Sequence, residues 1–508
     1  MNRLRFVLVL AAFSIALVAL ASALRPDAFF VGDPGVKLTS ARNAIRFPAH
    51  PLNIPLPHIG NDPVPHVEPF FEVHGDHAHA VTSEFFPLLS APFLAAAGIR
   101  GVYLLPALGF IAALVGCAWL AFVLDARRDT ALAAATAGLG TPFLFYGLEY
   151  WEHMPATALG VLGAALLLDV ARRRPGRDSA TGPTFVAGLL LGGAIVLRAE
   201  AACFTVAVLV ASRTLVHRPS WRSLAVAGAG ASLAMLPLEL YTLIHFGSIV
   251  PGHIGANAAL VGGDWSMERW RLASDWLRPS LWNGAGPLRS GSFWSVAPAA
   301  VVAVLSLARP SDRHERGFLW LVAVITIVLV VVAAPNTGGG QWGPRYLLFA
   351  YVPLSVLAAD AVQGLPRRTW AGIVMALLLG ASLWVQRAAY RQLRDTKAAY
   401  GGIVDFVAAN TETGGNIVTD VWWLDQLAAS ALDRQNVLFA GDANSGRAVV
   451  RRFSDATVPS VTVFRSREES ATVDSWSTDT CYFEEGHAET PLRGLVAIKL
   501  RHRCGYKP

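Results

Sequence analysis

Charge is the scarcest resource in this 508-residue chain, with Asp, Glu, Lys and Arg making up 15% of it. Soluble domains carry roughly 25%, so a water-soluble globular protein is excluded as a description of the whole chain. Cysteine is nearly missing, with four residues. Cys117 and Cys203 fall in apolar runs and read as small core residues. Cys481 and Cys504 lie in a polar C-terminal region, where an extracytoplasmic setting would favour a disulfide between them. No internal repeat is evident, which argues against an inverted-repeat transporter. The C-terminal region lacks a Gly-rich phosphate loop and a nucleophile elbow, so it offers no chemistry of its own.

What is present is apolar. Hydrophobic residues make up 54% of the chain, and the mean hydropathy is +0.44. Runs of this length and composition specify a polytopic α-helical membrane protein. The net charge of +6 does not point to nucleic acid, because the basic residues cluster in short segments between apolar runs, where membrane topology explains them.

The first run, "RLRFVLVLAAFSIALVALASAL", also fits a signal peptide with its Ala-Ser-Ala end. Its length and the many spans that follow favour a first transmembrane helix. Further runs lie near 101–124, 130–148, 154–170, 184–198, 201–216, 222–245, 291–308, 318–334, 347–363 and 369–387, about eleven in all. An odd number puts the two termini on opposite sides, and the basic start of the first run places the N-terminus in the cytoplasm and the C-terminus outside. On that scheme the cytoplasmic segments carry sixteen arginines, and the short outer loops carry two, Arg198 and Arg345. The asymmetry follows the positive-inside rule. Two domains are expected, a transmembrane domain over 1–390 with a large first outer loop at 25–100, and an extracytoplasmic α/β domain over 391–508. In the latter, β-like runs ("NIVTD", "NVLFA", "SVTVF", "LVAIKL") alternate with helix-like runs ("AAYGGIVDFVAAN", "WWLDQLAASAL"). A Trp-rich outer loop is expected over 246–290.

Polar residues at the outward ends of the spans form the candidate site. "VGDPGVKL" supplies Asp33 and Lys37, and "GLEYWEHMPA" supplies Glu149, Glu152 and His153. "VLRAEA" supplies Arg198 and Glu200, and "QWGPRYLL" supplies Gln341, Trp342, Arg345 and Tyr346. Each has an ordinary reading. Asp33 before Pro34-Gly35 starts a turn, Arg198 snorkels to headgroups, and the aromatic residues form an interfacial belt. The combination outweighs these, because topology predicts few charges in short outer loops and here acids and bases occur together. In the first loop, His74, Asp76, His77 and His79 either flank a hairpin turn at Gly75-Asp76 or ligate a metal, although the spacing matches no zinc pattern. The following "SEFFPLLSAPFLAAAG" reads as a short Pro-broken helix along the membrane surface.

In order and topology these segments resemble the GT-C superfamily of integral membrane glycosyltransferases, in outline the protein O-mannosyltransferases and bacterial aminoarabinose transferases. The resemblance covers about residues 1–390 and departs from the family's pattern in lacking paired acids in the first loop, where Pro34 follows Asp33. It implies a multi-pass enzyme of the bacterial inner (plasma) membrane that moves a sugar from a polyprenyl-phosphate donor to an extracytoplasmic acceptor. Inverting transfer needs a base on the acceptor hydroxyl and positive charge for the departing phosphate. The resemblance casts Asp33 as the base. Arg345, Arg198 and Lys37 become phosphate ligands, with arginine favoured for its bidentate fork. Glu149, Glu152 and His153 would hold the acceptor or a metal, and Glu200, Tyr346, Trp342 and Gln341 would line the cavity. No cofactor is certain; a divalent cation (Mg or Mn) would assist without being required. Membrane lipid is a further expected partner. The alternative is a transporter or flippase of lipid-linked glycans that performs no catalysis. A third reading is a non-catalytic scaffold whose outer domain binds a cell-wall partner.

Overall fold

The computed structural model describes residues 3–125, 128–173, 181–247, 265–278, 292–308, 313–336, 341–365, 368–467 and 481–504. Most of the expected Trp-rich loop at 246–290 lies outside the described residues. The chain divides into two compact units, one of Met1–Leu24 with Val102–Leu393 and one of Arg25–Gly101 with Arg394–Pro508. Residues 25–101 therefore gather with the tail, whereas the sequence grouping set them with the transmembrane domain.

The described residues of the first unit form helices and the turns between them. It contains α1 (Arg3–Ser22), α4 (Leu104–Leu124), α5 (Thr130–Gly140), α6 (Phe143–Gly147), α7 (His153–Arg173), α8 (Thr181–Leu197), α9 (Ala201–Ala211) and α10 (Trp221–Phe246). It continues with α11 (Trp265–Leu277), α12 (Pro298–Ala303), α13 (Arg313–Ala333) and α14 (Tyr351–Gln363). Among the described residues of the whole chain, seven helices are long and apolar enough to cross a membrane, and four shorter apolar helices accompany them. Each expected run holds one of these helices. Length and composition qualify seven of the eleven as spans.

With apolar surroundings on every side, these helices cannot be held together by water exclusion alone. Close packing through small residues replaces it. A Cβ on Gly188 of α8 would stand 2.0 Å from the Ala227 carbonyl of α10, and one on Gly230 would stand 2.3 Å from the Phe185 carbonyl. The two backbones are therefore in direct contact. Helix α1 joins the same packing. Phe13 meets Phe110 edge-on at 5.7 Å and lies against Gly138. The segment that also fits a signal peptide thus packs as a helix of the bundle. Arginines expected as topology signals find local partners. Arg172 donates to the Phe122 and Val123 carbonyls at the end of α4, satisfying acceptors that a helix C-terminus leaves open. Arg128 pairs with Asp360 at 3.4 Å.

The second unit begins with α2 (Asp33–Arg46) and two-residue strands β1 (Ile54–Pro55), β2 (His58–Ile59) and β3 (Asp62–Pro63). The hairpin β4 (Phe71–His74) and β5 (His77–Ala80) and the helix α3 (Phe85–Ala97) follow. The hairpin expected from the sequence is present. Gly75 at φ +64° turns the chain, and His74 faces His77 across the strands. A type II′ turn places glycine at this first central position because it needs positive φ there. Helix α3 carries Pro92 inside it.

The tail enters through α15 (Arg368–Asn410), whose last part, from residue 394, counts with this unit. The sequence reading separated a span at 369–387 from a helix-like run starting at 398. The intervening "AAYRQLRDTK" contains no proline and is rich in good helix formers, so the helix runs on without a break. A five-stranded sheet follows in the order β7-β6-β8-β10-β9. Its strands are β6 (Asn416–Thr419), β7 (Asn436–Phe439), β8 (Ser460–Ser466), β9 (Tyr482–Glu489) and β10 (Leu495–His502). Strand β6 runs parallel to both neighbours, and β10 runs antiparallel to both of its own.

Four of these strands are the β-like runs of the sequence; β9 was missed. Its "YFEEGHAE" is an acidic, largely exposed edge strand, which lacks the apolar alternation that marks a half-buried one. "WWLDQLAASAL" forms only one helical turn, α16 (Leu424–Leu427), before hydrogen-bonded turns. The amphipathic helix α17 (Ala443–Asp455) is capped by Asp442, whose side chain accepts from the Asn444 and Ser445 amides. The core combines Ile59 and Val64 of the loop with Val418, Leu438, Val463 and Val496 of the sheet. That shared core explains why residues 25–101 belong with the tail.

Helix α2 meets α16 closely. A Cβ on Gly35 would fall 1.8 Å from the Gln426 carbonyl. Gly35→Ala is expected to lower the thermal unfolding midpoint, as overpacking costs about 1–3 kcal/mol; an unchanged midpoint would contradict this approach. Cys481 and Cys504 form the expected disulfide, with Cα atoms 5.1 Å apart, while Cys117 and Cys203 are free. Thiol titration of the denatured chain should count two thiols before reduction and four after. Four before reduction would remove the bridge.

Candidate functional site

In the first unit three turns carry the charged residues that the sequence singled out. Between α6 and α7 the chain closes tightly, with the Trp151 amide donating to the Glu149 carbonyl at 2.8 Å. Glu149, Glu152 and His153 are all buried there, at 0%, 2% and 1% exposure. Between α8 and α9 stands Arg198. Before α14 come Gln341, Trp342, Arg345 and Tyr346, with Gln341 Oε1 accepting from the Arg345 amide at 3.1 Å.

Arg198 joins the first two turns. Its Nη1 donates to Glu152 Oε1 at 2.8 Å, and its Nε donates to Glu200 Oε1 at 2.7 Å. Its side chain is 12% exposed, Glu152's 3% and Glu200's 10%. Burial works against the Arg198 charge, but Glu200 and Glu152 more than reverse this and hold its pKa above the ordinary arginine value. The third turn reaches the same place through Tyr346. The Arg198 and Arg345 guanidiniums each lie 5.5 Å from its ring centroid, within cation–π range.

Aromatic rings wall the cluster. Tyr146 stacks on His153 with centroids 4.9 Å apart, Trp151 packs beside both, and the Tyr146 hydroxyl donates to the Trp342 carbonyl at 3.0 Å. The sequence reading passed over Tyr146 and Trp151. Their position in "YGLEYWEH", interleaved with the acids in a span end, was the available signal.

The resemblance casts Arg198 as a phosphate ligand. Two carboxylates already compensate its single charge. Arg345 lies against the other side of the same cluster, sharing the Tyr346 ring with Arg198. Glu152 is likewise engaged by Arg198. Among the described residues no group of three or more His, Cys, Asp or Glu side chains is placed to hold a metal ion. In the hairpin His77 pairs with Asp76 at 2.6 Å and His74 with Glu72 at 3.5 Å.

Asp33 and Lys37 belong to the second unit. The expected Gly-Asp-Pro-Gly turn is the start of α2. Gly32 is the N-cap, Asp33 occupies the first turn and Pro34 follows at the helix entry. Proline suits this place because its missing N–H has no partner to lose there, and the acid complements the helix dipole. Lys37 lies one helical turn on, which puts it on the same face as Asp33. It is 2% exposed, with Nζ 5.9 Å from the Phe86 ring centroid. Lys397, at 1% exposure, sits similarly over Phe29 at 5.7 Å. The sequence reading did not select Lys397. The signal was scarcity, since the chain has four lysines in all and lysine is seldom fully buried.

No protein-family model matches the chain, and no curated protein is similar to it in sequence. Solved structures are similar in fold. ArnT from Cupriavidus metallidurans bound to undecaprenyl phosphate superposes with a TM-score of 0.60 at 13% identity, over 97% of each chain. The oligosaccharyltransferase AglB from Archaeoglobus fulgidus, in complex with an inhibitory peptide and a dolichol-phosphate, superposes with a TM-score of 0.54 at 12% identity. That match covers 90% of this chain and 69% of that one. Both are GT-C membrane enzymes, and the chain has the fold that its resemblance to that superfamily implied.

Proposed function

We propose that the protein is a membrane glycosyltransferase that moves a sugar from a polyprenyl-phosphate donor to an acceptor in the cell envelope, on the extracytoplasmic side. The observation that carries this reading is the convergence of three turns bearing Glu152, Arg198, Glu200 and Arg345 in an otherwise apolar bundle, on a fold shared with ArnT and AglB. The donor class is supported by the lipid phosphates bound to those two proteins, undecaprenyl phosphate in one and a dolichol-phosphate in the other.

In the proposed reaction the Asp33 carboxylate takes the proton from the acceptor hydroxyl. The acceptor oxygen then bonds to the anomeric carbon as its bond to the phosphate oxygen breaks. The bonding pair leaves with the polyprenyl phosphate, whose added negative charge needs a cation. Arg345 is the leading ligand for that phosphate, and Lys37 assists. Arg198, tied to Glu152 and Glu200, acts by fixing Tyr346 and the two acid-bearing turns. Glu149 and His153 remain to orient the acceptor, while Gln341 and Trp342 shape the Arg345 turn. No step is routed through a metal ion.

Sugar transfer by the purified protein in nanodiscs tests the base. Asp33→Asn should reduce the rate by about 10²- to 10⁴-fold, the usual contribution of general acid–base catalysis; full activity would remove Asp33 from the role. Arg345→Ala should weaken binding of undecaprenyl phosphate by about 10- to 100-fold, the loss of one charge-assisted contact. Unchanged affinity would take Arg345 out of the phosphate site. Movement of lipid-linked glycan across vesicles by a protein that transfers no sugar would favour a flippase.

A further inference from the structure

The second unit contains a cavity of about 380 Å³ lined by α2, the first-loop strands and the segment from Gly414 to Phe439. This volume lies in the range of small-molecule sites. Nothing in the proposed transfer uses it. Its lining is rich in positive charge. Arg42 and Arg46 come from α2, and Arg434 comes from the turn before β7. Phe47, Leu56 and Phe71 add an apolar wall.

Arg42 and Arg46 share one carboxylate. Arg42 Nε lies 3.5 Å from Asp433 Oδ1, and Arg46 pairs with the same oxygen. Burial and the Arg46 charge lower the Arg42 pKa, and Asp433 offsets this only in part. Glu68 and Asp425, the other acids of the lining, form no ion pair with an arginine among the described residues. The Glu68 oxygens are themselves buried. The third guanidinium, that of the exposed Arg434, has no hydrogen bond, ion pair or ring contact among the described residues. Its backbone is held at φ +72°, a conformation strained for any residue but glycine. Its neighbours fix that conformation. The Gln435 amide donates to the Leu432 carbonyl at 3.1 Å, the Asn436 amide to the Gly415 carbonyl at 3.1 Å, and Asn436 Nδ2 to the His58 carbonyl at 2.6 Å. Glycine would make the same turn without strain, but it would bring no charge to the cavity.

Three guanidiniums thus line one cavity with a single carboxylate paired to them. A cation would add to the charge already in excess, and a neutral ligand would leave it unanswered. An oxyanion answers it, because the guanidinium fork matches two oxygens of a carboxylate or phosphate. The aromatic and aliphatic wall favours an anion carried on an apolar body. We propose that this cavity binds a small organic oxyanion, a carboxylate or phosphate on an apolar body, with Arg42, Arg46 and Arg434 as its ligands. The occupant is argued from the lining alone and does not depend on the transferase reading.

The test is calorimetry on the full chain in nanodiscs, with benzoate and phenyl phosphate as probes. Benzamide, the neutral counterpart of benzoate, and inorganic phosphate, which lacks the apolar body, are the controls. At least one probe should bind at least tenfold more tightly than its control, and the tighter of the two identifies the oxyanion as carboxylate or phosphate. Arg434→Gly should weaken that binding at least tenfold. Its unfolding midpoint should match or exceed the parent's, because glycine relieves the backbone strain; should it fail to fold, Arg434→Gln takes its place with the same tenfold loss expected. A purely structural arginine would give the opposite pattern, a lower midpoint with binding intact. Binding of neither probe, binding of both controls as tight as that of the probes, or binding undiminished in the Arg434 variant would overturn the proposal. The last outcome also covers a probe that binds at Arg345, which the Arg434 substitution leaves in place. Oxyanion binding lost with Arg434 in a protein that transfers no sugar would sink the transferase reading alone. Sugar transfer by a protein that binds neither probe would sink this one alone.

Discussion

A charge in an apolar bundle has to be answered within the bundle, and the geometry of the first unit follows from how Arg198 is answered. Its guanidinium bonds to Glu152 across from the α6–α7 turn and to Glu200 in its own turn. Removing one partner of a buried pair commonly costs about 3–5 kcal/mol because the other is left uncompensated. The two turns are thus locked to each other by electrostatics rather than by apolar contact. Tyr346 then lies against the Arg198 and Arg345 guanidiniums, which brings in a third turn. Three segments far apart in the chain are held together by one planar cation and one ring. A lysine could not replace this arginine, because a single ammonium cannot present separate N–H edges to two carboxylates while keeping a flat face for tyrosine.

The two units solve different problems. In the bundle, helices approach until backbone meets backbone, as at Gly188 and Gly230, since dispersion and small side chains must do what the hydrophobic effect does in water. The second unit is organised around a sheet. A mixed sheet buries Val418, Leu438, Val463 and Val496 under α17, a capped amphipathic helix, and a disulfide ties the start of β9 to the end of β10. Residues 25–101 supply Ile59 and Val64 to that core. Long stretches of the first loop have little regular structure of their own, and their order comes from this packing. One contact is especially tight. Gly32 and Gly35 admit the Gln426 turn where any side chain would exclude it, so the start of α2, and with it Asp33, is set by the tail.

Much of the bundle was legible because run length and arginine asymmetry are strong signals that do not depend on tertiary detail. The three turns could be named for the same reason, since charges in short outer loops stand out against an apolar background. Their connections could not be read. Whether Arg198 is spare or spoken for depends on which oxygen lies within 3 Å, and sequence spacing carries no such information across 46 residues. Helix boundaries in the polar regions failed in both directions. The charged "RQLRDTK" resembled a linker and is helix, while the apolar "WWLDQLAASAL" resembled a helix and is mostly turns, because burial against α2 overrode its propensity. Gly-Asp-Pro-Gly has the composition of a turn, yet proline and acid are equally at home in the first turn of a helix, and only the following "VKLTSARNAI" decides between them.

The same logic separates the chain's basic residues by type. Arginine dominates the ends of the spans, where it caps helix carbonyls at Arg172 and pairs with acids at Arg128 and Arg198. Lysine, rare throughout, has two of its four residues at 2% exposure or less, Lys37 and Lys397, each within 6 Å of a phenylalanine ring. Burying an ammonium is costly unless it is paired, and both ammoniums are engaged within the fold. A compact point charge that sheds its water suits an anion without fixed planar geometry, whereas a guanidinium suits one that presents two oxygens in a plane. Lys37 on α2 and Lys397 on α15 place compact ammonium groups in the second unit, and Arg198 and Arg345 place planar guanidiniums around Tyr346 in the first.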